Sequence, residues 1–490
     1  MKLVEPSKIK ENIKTQIFNN LQRVNGVLSV TLVGSFIDDE DSLDGISDID
    51  TIVVCDKLSK ELFNDCEIAI NNIDLIKCGL TDYGLKINTT FGPLKFDKPK
   101  LAVIHLMIYD IRLHINHVIS SPFTCFDWER SNVTSGIKLK DIYPVGSLQY
   151  CDLMKVRRSL SNYINDIEKN VISYREYSFK NDEVHEIKKV KILDKKHVGE
   201  YSYHIVKNLI SNYLKINNKT NVLFTKNEII SQIKRLNSKN KRYDHVAKYT
   251  ELYQLKKKRS NIYPDDTTEW IKEFLIDYQF SIKKEWDDAI SIKFIRHFQT
   301  PLSDDTFLGQ GRNPGLINNS IIKNKIRVEK IISSPLRRCR ETAEQFYQYE
   351  NLVFDDRLME FDYGRAEGLT YNELINKYPM ILKAWKNGED IKFPHGENTE
   401  DLNDRLQSFL LDLSIKINKN KPESVAIITH NGILRCLVGS EMGLEMKDWY
   451  RLEIPFAEPI EFLYHDNNYY PNFSRKLWYS IIKNIGYKKK

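Results

Sequence analysis

Short apolar runs separated by turn residues open the chain, and a different rhythm replaces them near residue 150. Val27–Val33, 49–54 and 101–109 are almost wholly apolar over the length of a strand, and turn pairs such as Asp44-Gly45 and Gly92-Pro93 lie between them. Pro144-Val145-Gly146 marks a boundary. From about 150 to 285 glycine and proline are sparse. In 201–216 the residues Ile205, Leu209, Ile210, Tyr213 and Leu214 recur as one face of a helix requires. Beyond Ile290 strand and helix patterns alternate. The runs 291–295, Ile331-Ile332 and 425–428 are each followed by a polar motif and a helical stretch. That order predicts a parallel α/β sheet with its functional loops at the carboxyl ends of the strands. The pattern therefore predicts an α/β multidomain chain divided at 1–145, 146–287 and 288–490, the middle part helical and basic.

Composition narrows the classes. A chain of 490 residues has room for about three domains. Its formal charge of +6 is too small for a histone-like basic coat, and 41% hydrophobic residues suffice for folded cores. The seven cysteines (Cys55, Cys66, Cys78, Cys125, Cys151, Cys339, Cys436) never form CxxC, which argues against a disulfide framework or a zinc cluster. With no apolar stretch near 20 residues and no apolar core behind Met1-Lys2-Leu3-Val4, the expectation is a cytoplasmic protein without a membrane partner. The clusters Lys188-Lys189-Val190-Lys191, Lys239-Asn240-Lys241-Arg242 and Lys256-Lys257-Lys258-Arg259 read as solvated helix surface, with a phosphate-facing wall as the sharper alternative.

Two constellations carry chemistry. In the first, the strand Val27–Val33 runs into Gly34-Ser35, and after an acidic loop comes Asp48-Ile49-Asp50 at the head of the next strand. Alternation along a strand puts both carboxylates on one face, where oxygen ligands suit Mg²⁺ or Mn²⁺. Gly34 lets a phosphate approach the backbone, and Ser35 adds a hydroxyl. This ordered set resembles the DNA polymerase β-like nucleotidyltransferase superfamily over roughly residues 25 to 120. The resemblance implies an α+β nucleotidyltransferase fold and Mg²⁺-dependent transfer of an NMP from an NTP to a hydroxyl. Gly34 and Ser35 would then hold phosphates, and Asp48 and Asp50 the metals. The family's third carboxylate is not matched: the strand 101–110 offers His105 inside it and Asp110 at its end, on opposite parity.

The second constellation comprises Arg296-His297-Phe298, Ser333-Ser334-Pro335-Leu336-Arg337-Arg338, Glu360 with Gly364 and Glu367-Gly368, and Thr429-His430-Asn431. Four motifs in this order resemble the histidine phosphatase, or phosphoglycerate mutase-like, superfamily, which implies a three-layer α/β/α fold. The resemblance makes His297 the nucleophile, Arg296 and Arg338 phosphate ligands, His430 an imidazolium that adds charge, and Glu360 the proton donor and acceptor. No metal is implied there. Phe298 and Asn431 stand where the family favours glycine. Arg405 and Glu397 read as structural.

Joined, the two imply a bifunctional enzyme taking an NTP and a small phosphorylated or hydroxyl acceptor. Two alternatives stay open: a phosphatase with a nucleotide-sensing, non-catalytic front domain, and an enzyme acting on RNA or oligonucleotide ends.

Overall fold

The computed structural model describes residues 5–34, 36–37, 48–92, 100–218, 224–236, 242–258, 260–302, 306–317, 328–346, 352–420 and 422–487. The chain divides into two compact units, one of residues 1–148, 152–282 and 486–490, the other of 149–151 and 283–485. Residues 152–282, read from the sequence as a separate middle part, thus group with the N-terminal residues.

The first unit opens with α1 (Pro6–Leu21), which buries Ile9, Ile13, Ile17 and Leu21. Then come β1 (Val27–Val33), β2 (Ile49–Cys55), α2 (Lys60–Asn71), β3 (Gly84–Asn88), β4 (Leu101–Asp110), α3 (Ile111–Ser120), α4 (Pro122–Glu129) and β5 (Thr134–Gly136). The five strands form one mixed sheet in the order β3-β4-β2-β1-β5, with β2 parallel to β4 and antiparallel to β1. One face takes Val30, Leu32, Val53, Ile104, Leu106 and Ile108 into a core with α1 and α2. The other face carries Asp50, His105, Met107 and Tyr109.

Two single-turn helices, α5 (Leu139–Ile142) and α6 (Asp152–Lys155), lead to α7 (Leu160–Glu168). A β-hairpin follows, β6 (Val171–Lys180) and β7 (Glu183–Ile192), in a region read from the sequence as helical. Its turn is Asn181-Asp182, both at positive φ (49° and 61°), the geometry a two-residue hairpin loop demands. Lys188, Lys189 and Lys191 therefore lie on a strand and not on a helix surface. Helices α8 (Lys195–Asn217), α9 (Lys226–Lys234), α10 (His245–Lys257) and α11 (Thr267–Glu285) follow, α11 belonging to the first unit as far as Ile282. In α8 the predicted face is buried at Ile205, Leu209, Ile210 and Tyr213. Lys239, Asn240, Lys241 and Arg259 lie outside the described residues.

The second unit is built on a six-stranded sheet with the order β10-β9-β11-β8-β12-β13. Its elements are β8 (Ile290–Arg296), β9 (Lys330–Ser333), α12 (Arg337–Phe346), β10 (Leu352–Phe354), α13 (Tyr371–Lys377), α14 (Pro379–Asn387), α15 (Thr399–Asn420), β11 (Ser424–Thr429), α16 (Asn431–Glu441), β12 (Pro459–His465), β13 (Asn468–Pro471) and α17 (Arg475–Ile481). Strands β8, β11, β9 and β10 are parallel, while β12 runs antiparallel to β8. The three apolar runs read from the sequence are β8, β9 and β11, and their carboxyl ends lie side by side. No helix among the described residues is long and apolar enough to cross a membrane.

Candidate active site

At the amino end of β2, Asp50 pairs in register with His105 of β4. His105 Nε2 lies 3.3 Å from Asp48 Oδ2, and its Nδ1 is 2.7 Å from the Asn88 amide on β3. Gly34 closes the other side: it sits at φ +77°, and a methyl group there would lie 2.7 Å from Asp50 Oδ2. The Asp50 carboxyl is raised to about 6, chiefly by burial; His105 opposes the rise, Asp48 adds to it and Arg158 opposes it. For His105 burial acts downward, but the hydrogen bond to Asp48 and the charges of Asp50 and Asp48 outweigh it, and the net shift is upward.

Of the two residues weighed for the third ligand, His105 joins the aspartates and Asp110 does not. Asp110 lies five residues further along β4, about 17 Å by the strand rise. There it caps α3, accepting from the Leu113 N–H at 2.7 Å. Ser35 lies outside the described residues. The donor set does not fit the two-metal centre implied by the resemblance: a histidine set against Asp48 takes the place of the third carboxylate. Among the described residues no three His, Cys, Asp or Glu side chains are arranged to hold a metal.

The second cluster forms where β8, β9 and β11 end. Beyond β8, the His297 N–H donates to the Thr429 carbonyl at 3.0 Å, which fixes the histidine between strands. Its Nδ1 lies 2.6 Å from the Phe298 carbonyl. A carbonyl accepts only, so Nδ1 carries the proton and Nε2 the lone pair. The ring stands 5.2 Å from that of His430, edge to face. Arg296, the last residue of β8, donates to the Ile454 carbonyl at 2.8 Å and lies 3.5 Å above the Phe456 ring.

Arg338, in the first turn of α12, has no exposed surface. Its Nε donates to His430 Nδ1 (3.2 Å), its Nη1 to the Arg312 carbonyl (3.1 Å) and its Nη2 to the Gly309 carbonyl (2.9 Å). A guanidinium has five N–H donors, so two remain for an anion. The carbonyl-bearing loop is pinned by Glu367, whose carboxylate accepts from the N–H groups of Gly311 (3.0 Å) and Arg312.

His430 departs from the sequence expectation. Because Arg338 donates to Nδ1, the proton sits on Nε2, which lies 2.8 Å from Ser334 Oγ, and the ring is neutral and not an imidazolium. Burial holds it well below the ordinary histidine value, and Arg338 and His297 add to the effect. His297 is likewise depressed by burial and by Arg338. The positive charge of this site resides on the arginines.

Glu360 is 7% exposed. Its Oε1 accepts from the N–H groups of Phe361 (2.8 Å) and Gly432 (2.9 Å), the second at the start of α16. Gly432 has no room for a side chain, since a methyl group there would lie 2.6 Å from that oxygen. Arg405 on α15 supports the segment from beneath, donating to the carbonyls of Arg357, Met359 and Glu360 while gripping Glu397 with both edges of its fork. Phe298, which stands where the family favours glycine, turns into the sheet's core and stacks on Phe346 at 5.6 Å. The roles of Ser334, Glu367 and the 309–312 loop were not legible from the motifs; Glu367 and the neighbouring glycines were their one signal.

The structure thus gathers Arg296, His297, Arg338, Glu360 and His430, drawn from four segments. A sequence profile of the histidine phosphatase superfamily (branch 1) matches residues 320–472, a span that includes Arg338, Glu360 and His430 and begins after His297. Fructose-2,6-bisphosphatase of Saccharomyces cerevisiae is 31% identical over 130 residues, covering 26% of this chain and 27% of that protein. Phosphoserine phosphatase 1 of Hydrogenobacter thermophilus is 25% identical over 126 residues, 25% of this chain and 58% of its own. The chain therefore spans less than two thirds of the length of these relatives. The solved α-ribazole phosphatase from Shigella flexneri aligns over 41% of this chain and 100% of its own, at 15% identity and a TM-score of 0.34. The C-terminal region of this chain, residues 320–472, is a histidine phosphatase superfamily domain.

Proposed function

We propose that the C-terminal unit hydrolyses small phosphomonoesters through a phosphohistidine on His297. The observation that carries this reading is the fixed tautomer: the Phe298 carbonyl holds the proton on Nδ1 and leaves the Nε2 lone pair available. That lone pair attacks phosphorus, and the bond from phosphorus to the ester oxygen breaks. The departing oxygen takes a proton from Glu360 Oε2, since Oε1 is committed to two backbone N–H groups. Water then attacks the phosphohistidine, returns a proton to Glu360 and releases phosphate. The two spare donors of Arg338, with Arg296, match the charge gathering on the phosphoryl oxygens. The curated relatives, a fructose-2,6-bisphosphatase and a phosphoserine phosphatase, are named for small phosphorylated substrates, which supports the same class here.

The test is hydrolysis of radiolabelled p-nitrophenyl phosphate with alkaline-quench trapping of labelled protein, since alkali preserves the N–P bond that acid cleaves. His297→Ala should abolish both turnover and label. Label persisting in His297→Ala would sink the mechanism.

For the N-terminal unit the bifunctional reading assigns NMP transfer from an NTP to a hydroxyl at Asp48 and Asp50 with Mg²⁺ or Mn²⁺. The contact of His105 with Asp48 favours the alternative, a nucleotide-binding module that senses and does not transfer. Incubation with each NTP and Mg²⁺ against a metabolite and RNA panel separates them. Pyrophosphate release lost in Asp48→Ala/Asp50→Ala establishes transfer. NTP binding without release, accompanied by altered phosphatase kinetics, establishes sensing.

A further inference from the structure

Within the first unit a cavity of about 480 Å³ lies against β4, α3, α4, α7, the β6–β7 hairpin and α8. That is an ordinary size for a small-molecule site. It begins beyond His105 on the same face of β4, with Met107 and Tyr109 as its floor.

Three features of the cavity are independent of one another. The first is unspent hydrogen-bonding capacity at the floor. The Tyr109 hydroxyl and both ring nitrogens of His117 are buried with no hydrogen-bond partner among the described residues, although Tyr109 is 2% and His117 6% exposed. Leaving such groups unpaired is costly, and a polar ligand seated on them would relieve that cost. His117 is held rigidly, stacked between Tyr109 (5.2 Å) and Trp128 (5.0 Å). Burial, then Arg175, His114 and Arg158, hold its ring neutral, so it presents one donor and one acceptor. The floor is built for an uncharged polar group.

The second feature is the charge at the exposed end. Five Lys and Arg residues line the cavity against three carboxylates. Arg157 and Arg175 share Glu186, at 3.4 and 2.6 Å. Arg158, Lys188 and Lys191 make no ion pair with a carboxylate among the described residues. Three uncommitted cations exceed what one carboxylate ligand needs and suit a phosphate monoester, which carries close to two charges.

The third is backbone strain. Arg158 sits at φ +59°, a left-handed conformation a long side chain seldom adopts, anchored through its N–H to Asn162 Oδ1 at 3.1 Å. Strain of this kind concentrates where a side chain must be aimed.

We propose that this cavity binds a phosphomonoester with an uncharged hydroxyl-bearing body, its phosphate on Arg158, Lys188 and Lys191 and its hydroxyls on Tyr109 and His117. The site is separate from the His297 cluster and rests on neither activity proposed above. The phosphorylated class that the C-terminal unit would hydrolyse is then also a class the N-terminal unit holds.

The experiment is lysine acylation of the full chain followed by peptide mass spectrometry, with inorganic phosphate, glycerol 1-phosphate (in His297→Ala, so that it is not consumed), glycerol, or chloride at matched ionic strength. At twice its dissociation constant a ligand slows modification about threefold. Lys188 and Lys191 are expected to be protected to that degree by phosphate and more strongly by glycerol 1-phosphate, not by glycerol or chloride, with Lys256 and Lys257 unaffected. Arg158→Gln should abolish the protection. Tyr109→Phe should bring glycerol 1-phosphate down to the level of phosphate without lowering the melting temperature, since the lost hydroxyl had no partner. If Arg158→Gln does not fold, Lys188→Met, exposed on β7, reads the same loss through Lys191. Equal labelling in phosphate and chloride, or protection that survives both variants, overturns the proposal.

Discussion

Arg405 places no atom on the proposed substrate, yet the geometry predicts that Arg405→Met costs both stability and turnover. The side chain donates to three carbonyls, those of Arg357 (2.7 Å), Met359 (2.8 Å) and Glu360 (3.2 Å), and forms a two-pronged pair with Glu397 (3.0 and 2.9 Å). Removing one partner of a buried pair costs roughly 3–5 kcal/mol. The side chains of Arg405 and Glu397 are 17% and 19% exposed, so solvent screens part of that, and about 3 kcal/mol is expected. The segment released is the one that presents the Glu360 carboxylate. A displacement near 1 Å there lowers kcat by up to about 100-fold, with KM little changed. Urea unfolding and p-nitrophenyl phosphate kinetics measure the two effects. Arg405→Lys should rescue little, because an ammonium cannot reproduce the fork. Adding Glu397→Gln should restore part of the stability by removing the stranded carboxylate. An unfolding free energy within about 0.5 kcal/mol of wild type, with kcat intact, would refute the reasoning.

Three further outcomes follow from the same contacts. Gly432→Ala should lower kcat at nearly constant stability of the sheet, because its methyl group would lie 2.6 Å from Glu360 Oε1; an unchanged kcat contradicts this. Gly34→Ala should lower the melting temperature of the first unit, since a positive φ costs about 1–2 kcal/mol and the methyl group also meets Asp50. A calorimetric scan checks it, and an unmoved transition counts against the placement. Acid should weaken the second unit. His297 and His430 are held neutral when folded but take up protons below about pH 6.5 when unfolded, so stability falls as pH drops through that value and is unaffected by them above about pH 7.5. For the pair the loss is roughly 2–3 kcal/mol at pH 5.5. Urea midpoints at pH 5.5 and 7.5 read it, and His430→Gln should flatten the slope.

Much of the second unit was legible along the chain. A buried parallel strand is a short apolar run, and the polar motif after it lands at the carboxyl end of the sheet, so 291–295, Ile331-Ile332 and 425–428 marked β8, β9 and β11 in advance. The hairpin β6–β7 does not stand out in the sequence because β6 is mostly half-buried, β7 mostly exposed, and its alternation is diluted by Lys and Glu. The Asn181-Asp182 turn between Tyr- and Val-bearing segments was the available signal. The first unit's sheet was legible only in its buried members: Val27–Val33, β2 and β4 are apolar runs, whereas β3 and β5 are short and half-buried.

The sequence alone determined which residue types stand where strands end: histidine, arginine and glutamate in one unit, two aspartates beside a glycine in the other. Such residues are recognisable because their chemistry needs no context. Protonation state and company depend on context, and these the tertiary structure decided. That His430 is neutral follows from its burial and then from Arg338, 3.2 Å away across 92 residues of chain. That His105 meets Asp48, and Asp110 does not, follows from the β2–β4 register. The cavity over Tyr109 and His117 takes its walls from segments scattered between residues 91 and 208. Charge, burial and hydrogen bonding depend on distance in space, and folding alone brings such distant residues within reach.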